Sequence, residues 1–284
     1  MEDLNGRILR ARCTIAMKFD ILMEDTCGDP VCEYEHGLSI YVETKEHKIL
    51  ADTGASPKTL ENAKKLGIDL RDVDTVILSH GHYDHSGGLL AFSEINPRAE
   101  IYMQEKAFGA YYHGERYIGI DPSIRELPKL HLLDGNLVID SELEIFSGIT
   151  GRRHWPQSNL ELSVKQEEKL VQDTFDHEQC FVVRGEKNVL VSGCAHNGIL
   201  NILDRYKELY GGYPDAVISG FHMSKKSPYT REEEETIRAI ARELKELPTI
   251  FYTGHCTGDR AMNLMEEIMG TQLVRIHCGD HGNI

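Results

Sequence analysis

The chain has 284 residues, 40% hydrophobic and 27% charged, a globular balance that excludes a disordered tail or a fibre. Its formal charge of -15, from 46 acidic against 31 basic residues, opposes a sequence-independent grip on phosphates, so no nucleic-acid partner is expected. No run approaches the roughly 18 apolar residues of a membrane span, and MEDLNGRILRARC lacks the apolar core of a secretion signal. No membrane partner is therefore expected, and a cytoplasmic location is.

Residues 14–23 and 37–42 are apolar, β-rich runs, followed by Lys48-Ile49-Leu50-Ala51 and the turn Asp52-Thr53-Gly54; they read as consecutive strands. Ser56-Pro57 opens a short helix over residues 60–66, closed by Gly67. Residues 73–78 form a β-branched strand that runs straight into Ser79-His80-Gly81-His82-Tyr83-Asp84-His85, and Gly87-Gly88-Leu89-Leu90 starts the next helix. From about residue 105 to 176 the pattern weakens around a strand at residues 143–146, and this segment is expected to be a lid insertion.

A hairpin follows at residues 180–183 and 188–191, then a helix over 198–209 and a strand at 216–219. The next helix opens on a capping box, Thr230 with Glu233, and a last strand at 249–252 runs into Thr253-Gly254-His255. Two sets of mixed strands and helices, without repeat or linker, predict one domain over residues 1–284 of the mixed α/β (α+β) class. Two sheets packed face to face with helices outside make it an αββα sandwich, with the lid at about 105–176. The cysteines, Cys13, Cys27, Cys32, Cys180, Cys194, Cys256 and Cys278, are odd in number and scattered, as expected of reduced thiols. Cys27 and Cys32 lack the second close pair that a zinc ribbon needs.

His80, His82, Asp84 and His85 occupy four of six consecutive positions at a strand end. Neutral imidazole nitrogens with a carboxylate oxygen suit zinc and similar divalent ions. In a turn, His80 and His82 project toward one ion while Asp84 and His85 face a neighbouring one. His222, in Gly220-Phe221-His222, also follows a strand and is a candidate ligand or an acid near the substrate.

The segment from Ser79 to Gly88 resembles the His-x-His-x-Asp-His signature of the metallo-β-lactamase superfamily, and the likeness extends to Asp52-Thr53-Gly54 and Gly254-His255. The resemblance implies an αββα fold with the site along one edge. It also implies two divalent ions, zinc first, with manganese, magnesium or iron as alternatives. Asp52 would support the site rather than bind, and His255 would join Asp84 and His85 on the second ion. The family's Thr-Gly-Asp turn is replaced here by Ser192-Gly193-Cys194-Ala195-His196-Asn197-Gly198. Cys194 stands where a bridging aspartate belongs, either as a bridging thiolate or as a small buried residue that leaves the second ion weakly held or absent. His196 is the candidate third ligand of the first ion, with His177 as its rival. The turns at 192–198, 220–222 and 253–258 are similar to the branch named for 7,8-dihydropterin-6-yl-methyl-4-(ribofuranosyl)aminobenzene 5'-phosphate synthases.

These expectations combine into a metal-dependent hydrolase acting on a phosphate-containing or pterin-like small molecule, alone or as a homo-oligomer. Metal-activated water is the nucleophile, Asp84 takes its proton and His222 protonates the leaving group. Lys106, Arg116, Arg125, Lys129, Arg152 and Arg153 are candidate anion anchors; Tyr111, Tyr112 and Trp155 either stack on a flat ring or form lid core. Two alternatives stay open. One is a transferase joining a pterin methyl diphosphate to an aminobenzene ribofuranosyl phosphate; the other is a non-enzymatic metal-binding or sensor protein.

Overall fold

A computed structural model describes residues 17–284. Cys13 and residues 14–16 of the first expected strand lie outside the described residues. The chain opens with antiparallel strands β1 (Lys18–Met23), β2 (Ser39–Glu43) and β3 (Lys48–Ala51), then passes through helix α1 (Lys58–Lys65) to β4 (Thr75–Ile77), parallel to β3. One turn of helix, α2 (Tyr83–Ser86), and then α3 (Leu89–Ile95) lead to β5 (Glu100–Gln104). Next come the hairpin β6 (Tyr111–His113) and β7 (Arg116–Tyr117), then β8 (Leu130–Leu133), β9 (Leu137–Val138), β10 (Leu143–Phe146), β11 (Leu162–Gln166) and β12 (Lys169–Gln172). The last third alternates: β13 (Cys180–Val183), β14 (Val189–Val191), α4 (Ile199–Tyr210), β15 (Ala216–Ile218), α5 (Arg231–Lys245), β16 (Ile250–Thr253), α6 (Asp259–Met269), β17 (Leu273–Arg275) and β18 (His281–Asn283).

Among the described residues these strands make a sheet in the order β18-β1-β2-β3-β4-β5-β8, a second in the order β17-β16-β15-β14-β13-β10-β9, and a small third, β12-β11-β6-β7. The period of two along each strand sets the layers. Phe19, Ile21, Ile40, Val42, Ile49 and Ile77 of the first sheet meet Ile145, Phe181, Val183, Val191 and Ile218 of the second in one buried cluster. The alternate residues point outward: Leu22, Leu50 and Val76 pack under helices α1 and α3, while Val182, Leu190 and Val217 pack under α4, α5 and α6. Strands buried on both faces read as unbroken apolar runs, and a face-to-face pair of sheets covered by helices is the αββα sandwich. No helix among the described residues is long and apolar enough to cross a membrane.

The expected lid at 105–176 is not one insertion. β8 forms an edge of the first sheet, and β9 and β10 form an edge of the second; only β6, β7, β11 and β12 stand apart as a small sheet. The weak pattern in that stretch reflects short, half-exposed edge strands rather than the absence of sheet. Between α2 and α3, Gly87 donates its N–H to Gly54 O at 2.8 Å, and a Cβ there would lie 2.1 Å from Ala55 O. Backbone cannot yield as a flexible side chain does. Gly87→Ala is expected to cost about 1–3 kcal/mol as overpacking, read as a lowered midpoint in denaturant unfolding.

Candidate metal centre

The chemistry-bearing residues sit at the carboxyl ends of parallel strands from both large sheets. Asp52 follows β3, His80 follows β4, Cys194 and His196 follow β14, His222 follows β15 and His255 follows β16. Asp52, Ala195, His222 and His255 are all left-handed, with φ of 57°, 53°, 49° and 48°. Each such non-glycine conformation costs roughly 1–3 kcal/mol and persists only where the surroundings impose it, a habit of functional sites. Here it turns each chain sharply off its strand toward a common point.

Four imidazoles converge with the same orientation. His80 Nδ1 lies 2.8 Å from Ser79 Oγ, which itself donates to Asp52 Oδ2 at 2.7 Å and so accepts the His80 N–H. His196 Nδ1 faces Asn159 Oδ1 at 3.1 Å, and the Asn159 amide donates to His196 O at 2.7 Å, which fixes its oxygen toward the ring. His85 Nδ1 meets Asp52 Oδ2 at 2.6 Å, and His255 Nδ1 meets Asp25 Oδ1 at 2.6 Å. With Nδ1–H given to an oxygen, each ring turns its Nε2 inward, where a neutral ring presents a lone pair.

Most of these inward-facing nitrogens lack an oxygen partner. His80 Nε2 and His196 Nε2 point at each other across 3.2 Å, and His85 Nε2 lies 3.1 Å from Cys194 Sγ. Buried His82 Nε2 and His255 Nε2 have no hydrogen-bond partner. Asp84 Oδ2 stands 3.6 Å from both His85 Nε2 and His255 Nε2. Buried nitrogens left unmade are costly, and a cation that receives several at once explains them. The donor atoms of His80, Cys194 and His196 lie within 4.8 Å of one another, as do those of His85, Cys194 and His255. Nitrogen, sulfur and carboxylate donors in this arrangement fit divalent ions of the zinc class.

Electrostatics sorts the ring protons. Burial and the neighbouring imidazoles hold His80 and His196 well below the usual histidine value and bring His82 down to about 3, so all three are neutral near pH 7. Burial opposes ionisation of Asp84, but His85, His255 and His36 outweigh it and keep the carboxyl well below its usual range. His255 is the contrast: burial works against its charge, yet Asp25 and Asp84 raise it well above the usual value, so an incoming cation must displace its proton. Burial pushes the Cys194 thiol up.

The structure thus brings His80, His82, Asp84, His85, His196, His255 and Cys194 together, with Asp52 behind them and the His222 ring 4.0 Å from that of His196. His177 does not offer a lone pair: its Nδ1 accepts Gly81 N–H at 2.9 Å and its Nε2 faces Asp173 Oδ2 at 3.1 Å. It holds the backbone between His80 and His82. Sequence reasoning missed Glu24 and Asp25 after β1, which grip His255 through its backbone N–H and its ring, and His36, whose Nε2 is 3.3 Å from Asp84 Oδ2. It also missed Phe175, stacked on His196 at 4.4 Å, and Cys256. An acidic pair after the first strand was the available signal for the former.

Most of the expected anion anchors are engaged elsewhere. Lys106 pairs with Asp176, Lys129 with Glu100, and Arg153 with Asp204 and Glu243; Arg152 donates to carbonyls and to Asn197. Arg125 lies over Phe108, and Arg116 lies 4.9 Å over Tyr83, beside the metal motif. Tyr111 is buried against His177 with its hydroxyl on Lys106 O, and so is wall rather than stacking platform. Tyr112 packs edge-on against Tyr117.

Strand-end imidazoles and carboxylates along one edge of an αββα sandwich define a metal-dependent hydrolase fold. Residues 34–255 match the family described as the metallo-beta-lactamase superfamily, and the chain belongs to it. An uncharacterized protein of Methanocaldococcus jannaschii, MJ0448, is 30% identical over 241 residues, 82% of this chain and 88% of that protein. The 7,8-dihydropterin-6-methyl-4-(beta-D-ribofuranosyl)-aminobenzene-5'-phosphate synthase of the same organism is 28% identical over 266 residues, 86% of this chain and 88% of that one. The crystal structure of Tm1679, a metal-dependent hydrolase of the beta-lactamase superfamily, superposes with a TM-score of 0.80 at 30% identity, covering 94% of this chain and 99% of that one. The fold and the resemblance to the synthase branch expected from the sequence both hold.

Proposed function

We propose that this chain is a metal-dependent hydrolase of phosphate-containing small molecules, working through two divalent ions. The observation that carries the reading is the set of Nε2 atoms of His80, His85, His196 and His255, each aimed inward by an oxygen acceptor on its own Nδ1. These residues would hold the ions, which when bound lower the pKa of a water toward neutrality and polarise a phosphoryl oxygen. Asp84, ionised and 3.6 Å from two of the imidazoles, is placed to accept the proton that the water gives up. Asp52 and Asp25 fix the ring orientations of His85 and His255, so no reorganisation is needed when substrate arrives. Arg116, beside Tyr83, is the expected anchor that keeps a cationic head near the motif.

The transferase reading is supported by the synthase relative, which shares most of its length with this chain. The two differ in the acceptor. Metal-loaded protein given a pterin methyl diphosphate, with and without the aminobenzene ribofuranosyl phosphate, is expected to release hydrolysed product in both mixtures. Product that joins the two substrates supports the transferase instead. His82→Ala is expected to lower metal-dependent turnover about 100-fold or more, because metal activation supplies several kcal/mol. Absence of metal-dependent turnover on any phosphoester counts against both readings and favours a binding or sensor protein.

A further inference from the structure

Cys256 belongs to none of the ligand pairs described above, yet it is buried next to the centre. Its sulfur, that of Cys194 and a ring nitrogen of His222 lie within 4.8 Å of one another. The three residues follow β14, β15 and β16, adjacent parallel strands, so the sheet itself brings them together. Both ring nitrogens of His222 are buried without a hydrogen-bond partner. The backbone N–H of His222 donates to Cys256 Sγ at 3.3 Å, and a Cβ at Gly220 would lie 2.5 Å from that sulfur. The sulfur therefore sits in a cradle that any side chain at position 220 would fill.

We propose that Cys194, His222 and Cys256 form a third ligand set, joined to the centre through the Cys194 sulfur, which takes a thiophilic divalent cation. Two sulfurs and one imidazole select zinc, cobalt or cadmium over magnesium and manganese, whose preferred ligands are oxygen. A fourth position is left for water or a substrate atom. Of the two roles open to His222 in sequence, this makes it a ligand rather than an acid: its ring nitrogens are shielded from the solvent that would return a proton after each turnover. The set goes beyond the two-ion reading, in which Cys194 serves only as a bridge.

The reduced, metal-stripped full chain titrated with cobalt(II) alone is the test. The expected result is a near-ultraviolet thiolate-to-cobalt band that falls in Cys256→Ser without vanishing, since the Cys194 sulfur remains. X-ray absorption of the zinc-loaded wild-type chain needs no variant: a sulfur shell at about 2.3 Å averaging more than one sulfur per zinc is expected. A cobalt band unchanged in Cys256→Ser, or a zinc shell with no more sulfur than one bridging thiolate gives, overturns the third set while leaving the two-ion reading intact. Failure to bind cobalt or zinc at all overturns both.

Discussion

Asp52→Asn is expected to weaken divalent-metal binding and metal-dependent turnover by about 10–100-fold, the usual cost of losing an outer-shell partner. The carboxylate accepts three hydrogen bonds: Ser79 N–H at 2.7 Å, Ser79 Oγ–H at 2.7 Å and His85 Nδ1–H at 2.6 Å. An asparagine oxygen can replace the oxygen that meets the backbone, but its amide then turns a donor toward both Ser79 Oγ and His85 Nδ1. Two donors cannot share the contact, so His85 must move its proton to Nε2. That closes the lone pair now facing Cys194 Sγ at 3.1 Å. The serine must also turn, loosening the acceptor that holds His80. Titration of the stripped protein with zinc, against a competing chelator, measures the change directly. Wild-type affinity in Asp52→Asn shows that the carboxylate does not set the tautomer.

The half of the site carried by one contiguous segment was legible in sequence, because His80, His82, Asp84 and His85 are neighbours and follow a β-branched strand. Even there a helical turn, α2, replaces the simple turn expected, and it separates Asp84 and His85 from the first two histidines. The sandwich was legible for a related reason: strands buried on both faces leave unbroken apolar runs, whereas the edge strands β8 and β9, half-exposed, leave none. α6 was not expected, although Ala261, Met262, Leu264, Met265 and Met269 line its buried face at helical spacing. The acidic pair after β1 was visible but its partner was not, since Asp25 and His36 meet His255 and Asp84 only across the sheets, and Cys256 meets Cys194 and His222 only across neighbouring strands of one sheet. Asp25 reaches His255 over 230 positions, and β18 must pair with β1 to close that corner. The charged lid residues failed for the opposite reason: sequence shows a cation but not the carboxylate beside it, as with Arg153 and Asp204.

In the chelated protein, His82→Ala is expected to gain about 2 kcal/mol on the wild type between pH 7 and pH 5, relative to their difference at pH 7. His82 is pushed down from 6.5 to about 3, first by burial and then by His177. A depressed folded value means the unfolded chain binds the proton first as the medium acidifies. The stability tied to the neutral ring is fully present above about 6.5 and is lost as pH falls toward 3, at about 1.4 kcal/mol per pH unit. His80 and His196 shift in the same direction, and burial raises Glu24 and Glu178, which titrate the opposite way. Comparing the variant with the wild type at each pH cancels the contributions of Glu24 and Glu178, while His80 and His196, which owe part of their shift to His82, relax slightly in the variant and add to the same slope. The gap left by the missing side chain is a constant offset, so only the slope carries the signal. Denaturant midpoints at pH 7, 6 and 5 in excess chelator give it, and parallel slopes for the two proteins show that His82 is not held neutral by burial. With zinc in excess the wild type gains more than the variant, because the ion binds the folded chain more tightly when this nitrogen is kept, by an amount that grows with its concentration over the dissociation constant.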